Sequence, residues 1–237
     1  MVSLLPMRAE AASTRRGGAT LVGPIDAELA GEGITIVLGP NGAGKTSLLR
    51  LLHGIARTHG GRVVWNCPLR DARRRQSFVF QRPVMLRRTV LQNVVYPLQV
   101  AGIQHAEAER RATEWLARVG LDHLSDRAAT DLSGGEGQKL ALARALVTDP
   151  ALVFLDEPCA SLDGRATRDI EAILTDAAAS GVRLVMSTHD LGQARRLADE
   201  VWFLHRGLLR EAAPASRFFA SPDTDEARAF LRGDIVE

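Results

Sequence analysis

The sequence predicts an α/β fold, a mostly parallel sheet with helices packed on it, from two observations. Residues 34–38 form a continuous apolar run, as expected of a buried strand, 151–155 read as a second buried strand, and 182–187 as a third strand. Segments with helical apolar spacing stand between and after them, and strand–helix alternation at both ends of a chain implies parallel strands with helices on their faces.

Taken in order, residues 1–33 read as irregular, with Gly17-Gly18 and Gly23-Pro24 as turn punctuation. The strand 34–38 leads into a glycine-rich stretch and then a helix over 45–53, with Leu48, Leu49, Leu51 and Leu52 on its apolar face and Gly54 beyond it. Residues 62–65 and 77–80 read as short strands. Residues 89–101 and 106–119 read as helices, the first kinked or broken at Pro97. A helix over 135–147 shows Leu140, Leu142, Ala143, Leu146 and Val147 near period 3.6. The strand 151–155, helix 165–179, strand 182–187, helix 191–198 and a final strand 201–204 follow, and Gly207 permits a tight turn. The chain divides as one domain over 1–237. Its α/β core covers about 1–81 and 148–208, an inserted helical subdomain about 82–147, and an appendage about 209–237.

Composition narrows the function. The 237 residues are ample for a core, and 46% apolar with 24% charged residues is ordinary for a globular protein. A net charge of +2 gives no reason to expect a nucleic-acid partner, and the runs Arg73–Arg75 and Arg87-Arg88 read as solvated faces. Two cysteines, Cys67 and Cys159, make neither a disulfide framework nor a metal-ligand spacing, so reduced thiols are expected. Residues 1–20 lack the apolar stretch of a secretory signal, and no run approaches a membrane span, so the chain is not expected to cross a membrane itself.

Four motifs carry the chemistry. Gly39-Pro40-Asn41-Gly42-Ala43-Gly44-Lys45-Thr46, with Ser47 following, satisfies G-x-x-x-x-G-K-[ST] between a strand and a helix. Backbone N–H groups there can surround phosphates, with Lys45 reaching the β- and γ-phosphates and the Thr46 hydroxyl on Mg²⁺. Only Lys45 and Lys139 are lysines, so a chain that otherwise writes arginine keeps a compact point charge in this loop. The strand 151–155 ends in Asp156-Glu157: Asp156 is the candidate Mg²⁺-side acid, and Glu157 the candidate general base that orients the attacking water. Leu132-Ser133-Gly134-Gly135-Glu136 opens a helix whose N-terminus is a second anion site. A capped helix accounts for Ser133 but not for two adjacent glycines. Ser187-Thr188-His189-Asp190 follows a strand and carries an imidazole able to bridge a phosphate and a general base.

With these motifs in this order, the chain resembles an ABC transporter ATP-binding subunit over nearly its whole length. The resemblance implies a P-loop NTPase (RecA-like) fold and an ATP hydrolase coupled to transport, with ATP and Mg²⁺ as cofactors. It implies that Gly39 to Ser47 bind ATP and that Ser133, Gly134, Gly135 and Glu136 contact the ATP of a partner subunit. Gln81 matches the Q-loop glutamine, a catalytic sensor and Mg²⁺ ligand beside Thr46 and Asp156. His189 matches the switch histidine, and Asp163 in Ala160-Ser161-Leu162-Asp163 the D-loop acid. The implied partners are a second copy or paired ATPase, transmembrane permease subunits, and indirectly a periplasmic or extracellular substrate-binding protein. The implied place is the cytoplasmic face of the membrane.

Two departures stand out. No aromatic residue precedes the phosphate loop to stack on adenine; Arg15 or Arg16 is the candidate substitute, with looser discrimination between ATP and GTP. Gly137 and Lys139 replace the family's commoner residues after the signature. Long coiled-coil insertions and a second ATPase domain are absent from the sequence, which favours transport over the repair and translation members of the family. The segment 80–94, the compact length and the stretch 229–234 resemble tungstate-type importers, so import of an oxyanion is expected. Phosphate or polar amino acid import is the alternative, and a non-transport ABC ATPase the second.

Overall fold

The computed structural model describes residues 3–234; the outermost residues of the core and appendage spans above lie outside them. A six-stranded sheet runs β5-β6-β7-β3-β8-β9. Its strands are β3 (Ile34–Leu38), β5 (Gln76–Val79), β6 (Leu152–Asp156), β7 (Arg183–Ser187), β8 (Glu200–His205) and β9 (Leu208–Pro214). All neighbours pair in parallel except β9, which returns antiparallel on β8.

The unbroken apolar runs have a simple origin. Ile36, Leu38, Val153, Leu155, Leu184, Met186, Val201 and Phe203 face one core. Their alternating neighbours Val37, Leu152, Phe154, Val185, Trp202 and Leu204 face another. Period-2 side chains of a sheet covered on both faces favour apolar residues at every position, and buried Thr35, Asp156, Arg183, Ser187 and His205 are polar exceptions. Over the second core lie α1 (Lys45–His53) and a three-stranded antiparallel sheet, β2-β1-β4, of β1 (Met7–Arg16), β2 (Ala19–Leu29) and β4 (Gly60–Trp65). Over the first lie α5 (Gly134–Leu146), α6 (Gly164–Ala179), α7 (Leu191–Leu197), α8 (Ala215–Ala220) and α9 (Asp225–Arg232).

A third apolar cluster joins α3 (Val90–Val100), α4 (His105–Arg118) and α5. Helix α5 is buried on two sides: Leu140, Ala143 and Val147 face this cluster, while Ala141, Leu142, Ala145 and Leu146 face the sheet. It is the helix that ties the helical layer to the α/β core.

Several expectations are corrected. Residues 1–33 are not irregular: they hold the β1–β2 hairpin, turned at Gly17 and Gly18 with φ of 57° and 83°. Small residues hide β1: Ala9 and Ala12 fill two of its four buried positions, beside Met7 and Thr14. Gly23-Pro24 lies inside β2, beside a register shift against β1, and is not a separate turn. The strand at 201–204 is not the last, since the turn at Arg206-Gly207 returns the chain as β9. Helix α3 continues through Pro97. Proline there withholds one N–H near the helix end, while buried Val90, Val94 and Leu98 and a Thr89–Gln92 capping box hold the rest. A short helix α2 (Leu69–Arg74) was not anticipated; it buries only Ala72.

His53, in the last turn of α1, shows which of two opposing effects wins. A helix C-terminus favours an imidazolium, but His53 stands edge-on to Phe78 and Phe154, at 5.4 and 5.7 Å between centroids. Burial pulls its pKa from 6.5 down to about 4. Below pH 6.5 the unfolded chain gains a proton that the folded chain refuses until about pH 4. Stability is therefore expected to fall as pH drops through that window, with this contribution flat above it. Urea midpoints at pH 7.5, 5.5 and 4.5 should show the decline in the wild type and a shallower one in His53→Gln.

Candidate active site

Four adjacent parallel strands, β5-β6-β7-β3, deliver the four motifs to one edge of the sheet. Gln81 follows β5, Asp156-Glu157 ends β6, Ser187 to His189 ends β7, and the glycine loop follows β3. The ends of parallel strands are where open α/β sheets build their sites.

The loop 39–46 opens α1, whose N-cap Gly44 takes a left-handed φ of 101° and offers no side-chain cap. A Cβ at Gly44 would stand 3.0 Å from the Leu21 carbonyl oxygen. The first turn holds no acid either, so the N–H groups and positive end of α1 stay open to an anion. In contrast, α5, α6 and α7 are capped by Ser133, Asp163 and Asp190. Lys45 is 6% exposed and donates to the Gly39 and Pro40 carbonyls at 2.9 and 3.2 Å. Burial lowers its pKa, opposed by Glu157 and Asp156. Asn41, Gly42, Ala43, Thr46 and Ser47 line the same hollow.

Glu157 is the meeting point. Lys45 Nζ stands 3.7 Å from Oε1, and Oε2 lies 3.2 Å from both Gln81 Nε2 and His189 Nδ1. Glu157 has φ of 45°, a left-handed backbone costly for a non-glycine residue. His189 is fixed through α7: Asp190 caps it, and buried Glu171 on α6 accepts from Arg196 at 2.6 and 2.9 Å and from Gln193 at 3.3 Å.

Asp156 is 2% exposed, and the Thr46 hydroxyl donates to its Oδ1 at 2.8 Å. Among the described residues, no group of three or more His, Cys, Asp or Glu could hold a metal alone. A hydroxyl and one carboxylate fit a hard cation that arrives with phosphate oxygens and water, the habit of Mg²⁺. Gln81 spends its amide N–H on Glu157 rather than on this pair.

The signature residues lie elsewhere. Ser133 and Glu136 form a capping box: the Ser133 hydroxyl donates to Glu136 Oε2 at 2.7 Å, and the Ser133 N–H donates to the same oxygen at 2.8 Å. These bonds hold the Glu136 carboxyl below its usual range. Ser133, Gly134, Gly135, Glu136, Lys139 and Asp163 line a cavity of about 500 Å³ that shares no residue with the hollow over the phosphate loop. Asp163 caps α6 through the Arg165 and Ala166 N–H groups.

Two features were missed. Leu21, 40% exposed, lines the hollow over the phosphate loop, whereas Arg15 and Arg16 do not. Ser187 bonds the Asp156 carboxylate and the Glu157 backbone N–H, through a cross-strand register that no local sequence signal reveals.

With this geometry in hand, the comparisons are specific. The family model described as ABC transporter matches residues 22–160. Phosphate import ATP-binding protein PstB 2 of Natronomonas pharaonis is 38% identical, over 87% of this chain and 78% of its own. Tungstate uptake system ATP-binding protein TupC of Peptoclostridium acidaminophilum is 37% identical, over 83% and 92%. Methionine import ATP-binding protein MetN of Cereibacter sphaeroides is 35% identical, over 95% and 68%. Among solved structures, cbiO1 of Clostridium perfringens, described as part of the ABC transporter complex cbiONQ, superposes with a TM-score of 0.82 at 25% identity, covering 97% of this chain and 96% of that one.

One reactivity follows from the site. Cys159, two residues past Glu157, shares a cavity with His189, and burial pushes its thiol up to about 11. The thiolate is the nucleophile. Iodoacetamide labelling of Cys159 at pH 7.5, followed by mass spectrometry, should run about 10–100-fold slower in the native protein than in urea, and accelerate above pH 9.

Proposed function

The chain belongs to the ABC transporter family, and we propose that two copies work as the paired ATP-hydrolysing subunits of an importer. It is an ATP-binding subunit, an ATPase coupled to transport through a transmembrane permease. The observation that carries the two-copy reading is the separation of its two anion sites. The hollow of Lys45 and Glu157 and the cavity of Ser133 and Asp163 have no common wall within one chain. Two chains facing each other place Ser133, Gly134, Gly135 and Glu136 of one over the phosphates held by Lys45 of the other. Gly39 to Ser47 then bind the nucleotide, and Asp163 contacts across the dimer. Opening the Ser133–Glu136 bond frees the Ser133 hydroxyl for the phosphate.

Within each site, Glu157 is the base for the attacking water. Gln81 and His189 hold its carboxylate and report its state. Thr46 and Asp156 would hold Mg²⁺, with Gln81 joining them once it leaves Glu157. When bound, the ion neutralises charge on the β- and γ-phosphates. Lys45 exchanges its loop carbonyls for phosphate oxygens, which restores an anionic partner to a buried cation.

The permease side is read from a groove of about 550 Å³ lined by Ile55, Phe80, Val84, Tyr96 and Arg144. No Asp or Glu lines it. Residues 50–103 contain ten arginines and one acid, in a chain of net charge +2. Arg50 and Arg88 stand over the Phe80 and Tyr96 rings at the groove, at 5.8 and 5.1 Å from the centroids. An amphipathic cytoplasmic helix of the permease with acidic residues suits this face. Among the described residues no helix is long and apolar enough to cross a membrane, so attachment at the cytoplasmic face runs through that contact. The cargo is proposed to be an oxyanion such as tungstate, supported by the phosphate and tungstate importers at 38% and 37% identity. Methionine and arginine/ornithine relatives at 35% and 33% keep polar amino acids as the second reading. Calorimetry of the partner binding protein against tungstate, phosphate, methionine and arginine decides between them.

Glu157→Gln should reduce turnover at least about 100-fold and trap an ATP-bound dimer in size-exclusion chromatography. A variant that stays monomeric in saturating ATP–Mg²⁺, beside an active wild type, overturns the paired arrangement. Charge reversal at Arg88 to Glu should release the subunit from permease-containing membranes at lower salt, with basal ATP hydrolysis unchanged. Equal retention across a salt series would remove the basic rim from the contact.

A further inference from the structure

The reading of Asp156 as the metal-side acid and Glu157 as the base leaves a third group at the end of the sheet without a role. Ser187 closes β7 directly opposite Asp156, its register partner on β6, and its side chain is fully buried. The hydroxyl donates to Asp156 Oδ1 at 2.9 Å and accepts the Glu157 N–H at 3.1 Å. The Ser187 carbonyl accepts that same N–H at 3.1 Å. Both directions are forced by the groups involved: a backbone N–H can only donate and a carboxylate only accept, so the single hydroxyl proton goes to Asp156.

We propose that Ser187 is a positioning residue for hydrolysis, a one-hydroxyl bridge that sets the metal-side carboxylate and the backbone of the general base relative to each other. The proposal rests on the roles assigned to those two acids above. Two observations carry it beyond ordinary packing. The first is that Oδ1 of Asp156 receives two hydroxyls, Thr46 at 2.8 Å from the phosphate-loop side and Ser187 from the opposite strand. The carboxylate is thereby oriented from both flanks, and loss of one leaves it free to turn about the other. The second is that Glu157 has the left-handed φ of 45°, which places its side chain toward Gln81 and His189. A non-glycine residue keeps that conformation only where its surroundings hold it, and the Ser187 hydroxyl and carbonyl are what hold its N–H. An apolar residue of similar size would fill the space and lose both hydroxyl bonds, to Asp156 and from the Glu157 N–H, while the backbone carbonyl remained.

The test separates positioning from packing. Mn²⁺ binding is followed by electron paramagnetic resonance in the presence of a slowly hydrolysed ATP analogue, alongside steady-state hydrolysis with Mg²⁺. Ser187→Ala is expected to weaken Mn²⁺ binding about 10-fold and lower kcat about 10–100-fold, the usual cost of losing a group that orients a metal-site carboxylate. KM for ATP at saturating Mg²⁺ should change little, and Ser187→Thr, which keeps the hydroxyl, should recover most of both losses. Circular dichroism confirms folding, and Ser187→Cys, near-isosteric with a weak donor, takes the place of the alanine variant if that one does not fold. If the wild type binds Mn²⁺ with the analogue and the hydroxyl-free variant matches it in affinity and kcat, Ser187 has no positioning role. If the wild type binds no Mn²⁺ with the analogue, the reading of Asp156 fails and the proposal with it.

Discussion

Everything at the active edge depends on the parallel pairing of β6, β7 and β3. Val37 and Asp156 are both register partners of Ser187, so the three strands end level with one another. Neighbouring strands in a sheet lie about 4.8 Å apart. That spacing brings the phosphate loop, the two acids and His189 within side-chain reach of one another, although the loop lies more than a hundred residues before the acids. A slip of one residue would turn Asp156 to the opposite face and remove it from Thr46. The apolar runs hold the register, since each alternate side chain must enter one of two dry cores.

The groups at that edge satisfy one another. Lys45 bonds loop carbonyls, Gln81 and His189 share one oxygen of Glu157, and Ser133 bonds Glu136. A buried or partly buried charge left alone would cost several kcal/mol, and these pairings give each one a partner. They also set the terms for ATP, which must replace each internal bond with a bond of its own. Interactions exchanged in this way contribute only their difference to affinity.

How far the site was legible varies with the kind of signal. The helix at 45–53 and the strand at 34–38 emerged with their observed bounds, because leucine spacing and an apolar run between glycines are local signals. The β1–β2 hairpin did not, because alanine at two of the buried positions of β1 carries little β-propensity and register shifts interrupt its alternation. Likewise, Pro97 suggested a kink or a break, and the helix runs on through it to Val100: one missing N–H near the end of a helix matters less than three buried side chains holding it. Arg15 and Arg16 close β1 of the hairpin, and Leu21 on β2 lines the hollow over the phosphate loop.

By itself, the sequence determined the fold class, the phosphate-binding chemistry and the family, since each rests on residues a few positions apart whose spacing is the signal. Only the tertiary structure decided which groups touch. It alone put Gln81, Lys45 and His189 on one carboxylate, paired Ser187 with Asp156, and kept the Ser133 cavity apart from the Lys45 hollow. The physical reason is that strand order and register come from burying side chains far apart in the chain, and no local pattern records which distant strand will lie alongside.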